Sequence, residues 1–431
     1  MQHASEEELI LELSRTTRGR LLLERHAPSI PELASEAADA LVEHGIARRD
    51  GDQLIIALDG PALSWELDVL ANSYRSDVLN EPVYAAVQQH FDEEALDDAS
   101  RDGYEAREWL RPVLVAIAPR DVTVETSDAV DPRISFGSWA FEDAIVSVPR
   151  YHVRGELERP IEERLFGWRL GINRDEHFAI DSAVTVTRED FFERVAAGAL
   201  GGRVLVFVHG FATARDVAIM RAAQFAFDAR FTGTTLAFIW PSQGKVGLAS
   251  YRRDRAVLTA AGTALAQLLR ELQRPGYEVS VFGHSLGCAF ITNALSLLAT
   301  ATPPRLSELI FGAPDVGAAE LQAAMPVVRQ LAQRLTIYTS WRDIALYASA
   351  AVNKRIPIGL GRPRAFVVHG SDSIDASRVW HQFYRLDHAY VFGSSRLLAD
   401  IHLALKGEPQ TRFELRKAVG IRRWEFVPAK A

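Results

Sequence analysis

The chain reads as an α/β protein built on a mostly parallel, doubly wound sheet, and three observations predict this. First, short apolar runs recur, such as Val204-Leu-Val-Phe-Val208, Thr235–Trp240 and Leu306–Phe311. Runs without polar alternation suit strands buried on both faces. Second, segments with helical spacing separate them, and strands alternating with helices make a βαβ series. Third, 48% apolar and 24% charged residues describe an ordinary globular chain, and 431 residues is comfortable for two domains.

In chain order, Glu6–Leu13 is helical in pattern. Pro31 opens a second helix to Glu43, with Gly45 as its stop. Ile46–Ala57 reads as a hairpin turning at Asp50-Gly51. Helices followed by a hairpin suggest a winged-helix-like shape. Charge argues against DNA, because residues 1–60 hold 12 Asp and Glu against 6 Arg. Residues 61–125 continue with helical stretches. The acidic patch Asp92–Asp98 has no His or Cys partner at ligand spacing and reads as a solvated face. Around Val122–Pro132 the chain turns polar, which places a mainly helical accessory module at 1–130 and the α/β domain at 131–431.

Beyond Ile134, strands are expected at Ala144–Pro149 and Phe178–Val186, then a helix at Arg188–Leu200 and the run Arg203–Phe211, ending in His-Gly. Helices at Arg215–Arg230 and Arg253–Gln273 flank the strand Thr235–Trp240. After Tyr277–Phe282 comes the sharp sequence Gly283-His-Ser-Leu-Gly287, and then Leu286, Phe290, Ala294 and Leu297 at helical spacing. Strand Leu306–Phe311, a helix near Glu320–Ala332, strand Leu335–Thr339, a looser region and a last helix at Ser395–Leu405 complete the chain.

A G-x-S-x-G turn between strand and helix is the nucleophile elbow, which exposes the serine Oγ and aims a helix N-terminus at a developing oxyanion. Ser285 is therefore the candidate nucleophile. In an α/β-hydrolase the acid and the histidine follow the serine in that order. Asp343, just past strand Leu335–Thr339, is the candidate acid, and Asp315, one strand earlier, is its competitor. Four histidines follow Ser285. His388, ahead of the last helix, is the candidate base, with His369 as runner-up. His381 sits among bulky residues and reads as packed or hydrogen-bonded, and His402, within a helix, reads as surface or packing. The oxyanion would meet the N–H groups of Leu286 and of Phe211 after His209-Gly210. His209 precedes the elbow and reads as ordering its loop. Cys288, the single cysteine, rules out an intrachain disulfide, suggests a reducing compartment and reads as a small core residue.

Six elements now occur together: Val206–Phe211, Phe238–Gly244, Gly283–Gly287, Gly312–Val316, Ser340–Leu346 and Ile374–Ser377. Their content and order resemble a bacterial α/β-hydrolase family of unknown function within the esterase and lipase superfamily. The resemblance spans about residues 134–405 and implies a Ser285, Asp343, His388 triad. Members often carry Gly-His-Ser-Tyr-Phe around the histidine, where this chain has Asp387-His-Ala-Tyr-Val391.

The resulting expectation is a cytoplasmic serine esterase acting on small acyl esters, without metal or cofactor. An acyltransferase, lipase or amidase would use the same triad, and a sensor could reuse the pocket. Gly244-Lys245 lacks the earlier glycine of a phosphate-binding loop, so Trp240–Lys245 is read as shaping a pocket or cap. Arg252, Arg253 and Arg255 read as a solvated helix start. A net charge of −8 gives no reason to expect nucleic acid. No apolar run is long enough to span a membrane, and no secretory signal is visible. Substrate and oligomeric state are not encoded in any motif.

Overall fold

A computed structural model describes residues 110–119, 139–149, 152, 154–158, 177–298, 306–361, 368, 370–377 and 388–407, with short strands at 3–4, 47–50, 53–56, 122–124, 134–136, 415–417 and 423–426. The sheet strands are β1 (Leu110–Ile117), β2 (Ala140–Ser147), β3 (Ala179–Val186), β4 (Arg203–Val208), β5 (Thr234–Ile239), β6 (Glu278–His284), β7 (Leu306–Gly312), β8 (Leu335–Thr339), β9 (Asp372–Asp375), β10 (Leu415–Lys417) and β11 (Arg423–Phe426). Their spatial order is β10-β11-β9-β8-β7-β6-β4-β5-β1-β2-β3. From β11 to β1 every pairing is parallel, and β2, β3 and β10 pair antiparallel.

Successive side chains on a strand point to opposite faces, and β4 shows the consequence. Val204, Val206 and Val208 join one buried layer, while Leu205 and Phe207 join the other. Helices α4 (Leu258–Glu271), α5 (Leu286–Leu297) and α6 (Ala318–Leu331) cover the first layer through Leu265, Leu269, Phe290, Ile291 and Val328. Opposite them, α2 (Arg215–Asp228) and α8 (Ser395–Leu405) supply Ile219, Phe225, Leu398 and Ile401. Helix α1 (Arg188–Gly198) adds Phe191, Phe192 and Val195. Apolar cover on both faces is why the central strands carry no polar alternation.

Sheet order also positions the site. Strand β4 pairs with β5 on one side and β6 on the other, so the connections leaving β4 and β6 diverge. Ligands of open α/β sheets bind in the crevice this divergence opens at the strands' carboxyl ends.

Four expectations require correction. The boundary expected at residue 130 cuts the sheet, because β1 lies between β5 and β2, with Leu236 opposite Leu114 and Leu110 opposite Ser147. Arg111 and Pro112 interrupt its apolar run and hide it in the sequence. The single helix expected at Arg253–Gln273 is two, α3 (Leu248–Ala256) and α4, broken at Val257. The looser region after Thr339 contains helix α7 (Ile344–Asn353) and strand β9. Last, the hairpin near Ile46–Ala57 pairs Ala47–Asp50 with Gln53–Ile56, so Asp50, expected in the turn, lies in a strand opposite Gln53, with His3–Ala4 alongside. The helices expected at 6–13 and 31–43 lie outside the described residues.

Candidate active site

The elbow is built from strain and its restraints. Ser285 sits at φ 54°, ψ −122°, between β6 and α5, a left-handed conformation that costs a non-glycine residue on the order of 1–3 kcal/mol. Three main-chain bonds hold it there. Its N–H donates to Gly312 O at 2.9 Å, and its carbonyl accepts from Cys288 at 3.0 Å and Asp315 at 3.1 Å. At Gly287 a Cβ would lie 2.5 Å from Val208 O and 2.6 Å from His209 O. Only glycine lets α5 come that close to the end of β4.

Leu286 opens α5, so its N–H has no acceptor within the helix. Phe211 and Ala212 follow β4 and border the same cavity as Ser285 and His388. This cavity has a volume of about 250 Å³. Its other walls include Val246 just before α3, Leu248 and Tyr251 of α3, and Leu346 and Val352 of α7.

Asp343 is the N-cap of α7, accepting the Leu346 N–H at 3.0 Å, and is fully buried. Its carboxylate oxygens lie 2.8 and 2.9 Å from His388 Nδ1. Burial pushes the Asp343 carboxyl pKa up, against the opposing pull of His388 and the Leu346 N–H. Asp315 does not meet the histidine. It accepts from Tyr251 Oη and Ser349 Oγ, each at 2.6 Å, with Arg355 at 3.5 Å, and so ties α3 to α7 in the cavity wall.

His284 was not singled out by the sequence, although it is the variable residue before the elbow serine. Its Nε2–H donates to the carbonyl of His388 at 2.8 Å, and the two rings pack at 4.7 Å. Burial, then the neighbouring His388, hold its pKa well below the usual histidine value, which keeps it a neutral donor.

The remaining candidates fall into place around this core. His209 Nδ1 donates to Gly210 O at 3.0 Å, and its ring stacks on Trp240 at 4.7 Å. Burial lowers its pKa to about 4. His402 bonds Ala229 O at 2.9 Å and thereby packs α8 on α2. The Cys288 thiol donates to Gly283 O at 3.1 Å, and burial pushes its pKa well up. His369 and His381 lie outside the described residues.

Among the described residues no three His, Cys, Asp or Glu side chains are placed to hold a metal ion, and no helix is long and apolar enough to cross a membrane.

With this geometry in view, comparison with known families matches residues 186–401 to the family described as alpha/beta hydrolase of unknown function (DUF900). The chain belongs to this family. The matched span of the hydrolase runs from the end of β3 into α8, and takes in the elbow, Asp343 and His388. Among solved structures, the esterase LipW from Mycobacterium marinum is similar at 13% identity and a TM-score of 0.29, over 75% of this chain and 88% of that one. No curated protein matches.

Proposed function

We propose that this hydrolase cleaves carboxylic esters through an acyl-enzyme on Ser285. Ser285 Oγ attacks the ester carbonyl as His388 Nε2 takes its proton, and Asp343 holds the tautomer with Nδ1–H and steadies the imidazolium. The tetrahedral oxyanion accepts from the N–H groups of Leu286 and Phe211. His388 returns the proton to the leaving alkoxide, then deprotonates the water that releases the acid. What supports this most is one juxtaposition: Ser285, on its strained turn, and a histidine bonded through Nδ1 to a buried carboxylate border one cavity.

The test is a panel of p-nitrophenyl esters of graded acyl length, with fluorophosphonate labelling. Wild-type protein should turn over and label, whereas Ser285→Ala should do neither. Equal labelling of the two would sink the proposal. We read the residues before β1 as an accessory module without catalytic groups or DNA affinity, in keeping with their acidic balance.

A further inference from the structure

The segment Trp240–Gly247 follows β5 and contributes Val246 to the cavity wall. Its contacts run instead to the loop that follows β4. Trp240 Nε1 donates to His209 O at 2.9 Å, alongside the stacking of the two rings. At Gly244 a Cβ would sit 3.3 Å from the Ala214 Cβ and 3.6 Å from its nitrogen. Ala212, in that loop, has φ 54° without being glycine.

A buried carboxylate joins the two segments. Asp254 of α3 is 1% exposed. Its Oδ2 accepts from Ser242 Oγ at 2.8 Å and its Oδ1 from Gln243 N at 2.8 Å. Ser242 Oγ in turn accepts the Gly244 N–H at 3.2 Å. The main chain of Ala212 also favours the charged form of this carboxylate, while burial raises its pKa against these donors. Asp254 is absent from the cavity wall, whereas Ala212, Thr213 and Val246 are part of it.

We infer that Asp254 is a positioning residue for oxyanion stabilisation: it clamps the Ser242–Gly244 segment onto Phe211–Ala214 and so fixes the Phe211 N–H where negative charge develops. The inference rests on the esterase reading above. Donors that must meet a transient charge are effective only when held before the reaction, and a left-handed alanine holds its conformation only when its surroundings impose it. Asp254 acts on both points without touching substrate.

The experiment measures kcat, KM and the affinity of a trifluoromethyl ketone, which adds reversibly to the serine and forms an oxyanion, for wild type, Asp254→Asn and Ser242→Ala. Loss of one oxyanion donor costs on the order of 100-fold in kcat, so Asp254→Asn should lose about tenfold to 100-fold with KM within about twofold. Ketone affinity should fall by the same factor. Ser242→Ala should show the same split at smaller size, and decides the matter if Asp254→Asn does not fold. Unchanged kcat and ketone affinity would overturn the inference, as would losses carried by KM. Labelling of wild type by fluorophosphonate separates the two readings: without it the esterase reading fails, and with it only the role of Asp254 is at stake.

Discussion

Asp343 and Asp315 are both buried carboxylates at the ends of neighbouring strands, and their partners distinguish them. Asp343 serves His388 and caps α7 at once. Asparagine is also a good N-cap, so Asp343→Asn keeps the helix start and changes only what faces the imidazole. With an amide there, the Nδ1–H tautomer loses its acceptor, and kcat should fall about 10⁴-fold at nearly unchanged melting temperature. Asp315→Asn should do the opposite. Tyr251 and Ser349 both donate to Asp315, and an amide cannot accept both in that geometry. Hydrogen bonds to charged groups are worth about 1.5–3 kcal/mol each, so the melting temperature should drop while kcat stays within about tenfold. Steady-state kinetics and thermal melts on the two variants check this; a collapse of kcat in Asp315→Asn alone would move the acid to β7.

At the scale of elements, the loop 154–158 and the turn Tyr390–Gly393 are coupled. Gly155 has φ 90°, and a Cβ there would lie 2.5 Å from Gly393 Cα and 2.6 Å from Phe392 O, in the turn just after His388. The loop is tied to α2 by His152, whose Nε2 meets Asp228 at 2.8 Å and whose Nδ1 meets Glu158 at 2.9 Å. The Gly155 N–H also donates to Asp228 at 2.7 Å. Burial would lower the His152 pKa, but the two carboxylates outweigh it and raise it to about 9. A raised folded-state pKa stabilises fully below the unfolded value of about 6.5, and the gain is lost as pH climbs through about 9. The full effect is on the order of 3 kcal/mol. Urea unfolding should show wild type losing stability between pH 7 and pH 10 more steeply than His152→Gln, and parallel curves would refute the clamp.

The same scale shows what the sequence could reveal. The elbow and the strands β4 to β8 were legible because each depends on a short local pattern, whereas Asp343 and His388 were candidates by their places in the chain, and the structure brings their side chains within 2.8 Å. Strand β9, Asp372-Ser-Ile-Asp375, was not, since a single apolar residue marks it and pairing with β8 and β11 makes it a strand. Helix α7 was hidden for a different reason. Ile344, Leu346, Tyr347, Ala348, Ser349 and Ala350 are all buried, and a helix covered on several sides shows no amphipathic stripe. Asp254 and His284 stood in plain view, but a lone carboxylate or histidine acquires its role only from what the fold brings to it.

For the whole molecule, the strand order sets where the chain can be cut. A fragment starting at residue 131 lacks β1, which leaves the flank of β5 bare and severs β2 and β3 from the rest of the sheet. One starting near residue 105 retains all eleven strands. The longer fragment should be soluble, melt cooperatively and label at Ser285, and the shorter should aggregate, because an unpaired apolar strand edge invites association. A folded, labelling fragment from 131 would show that β1 is dispensable.

The attachment points of the site divide it in two. Ser285, Phe211 and Asp343 hang from the ends of β6, β4 and β8, whereas Val246, Leu248 and Val352 of the cavity wall belong to α3, its leading segment and α7. Parallel strands in register tolerate little change, while wall residues on helices can be exchanged one at a time. On the esterase reading proposed above, descendants of such a chain can thus drift toward new acyl groups by substitutions at the wall, while the proposed chemistry is inherited unchanged with the sheet.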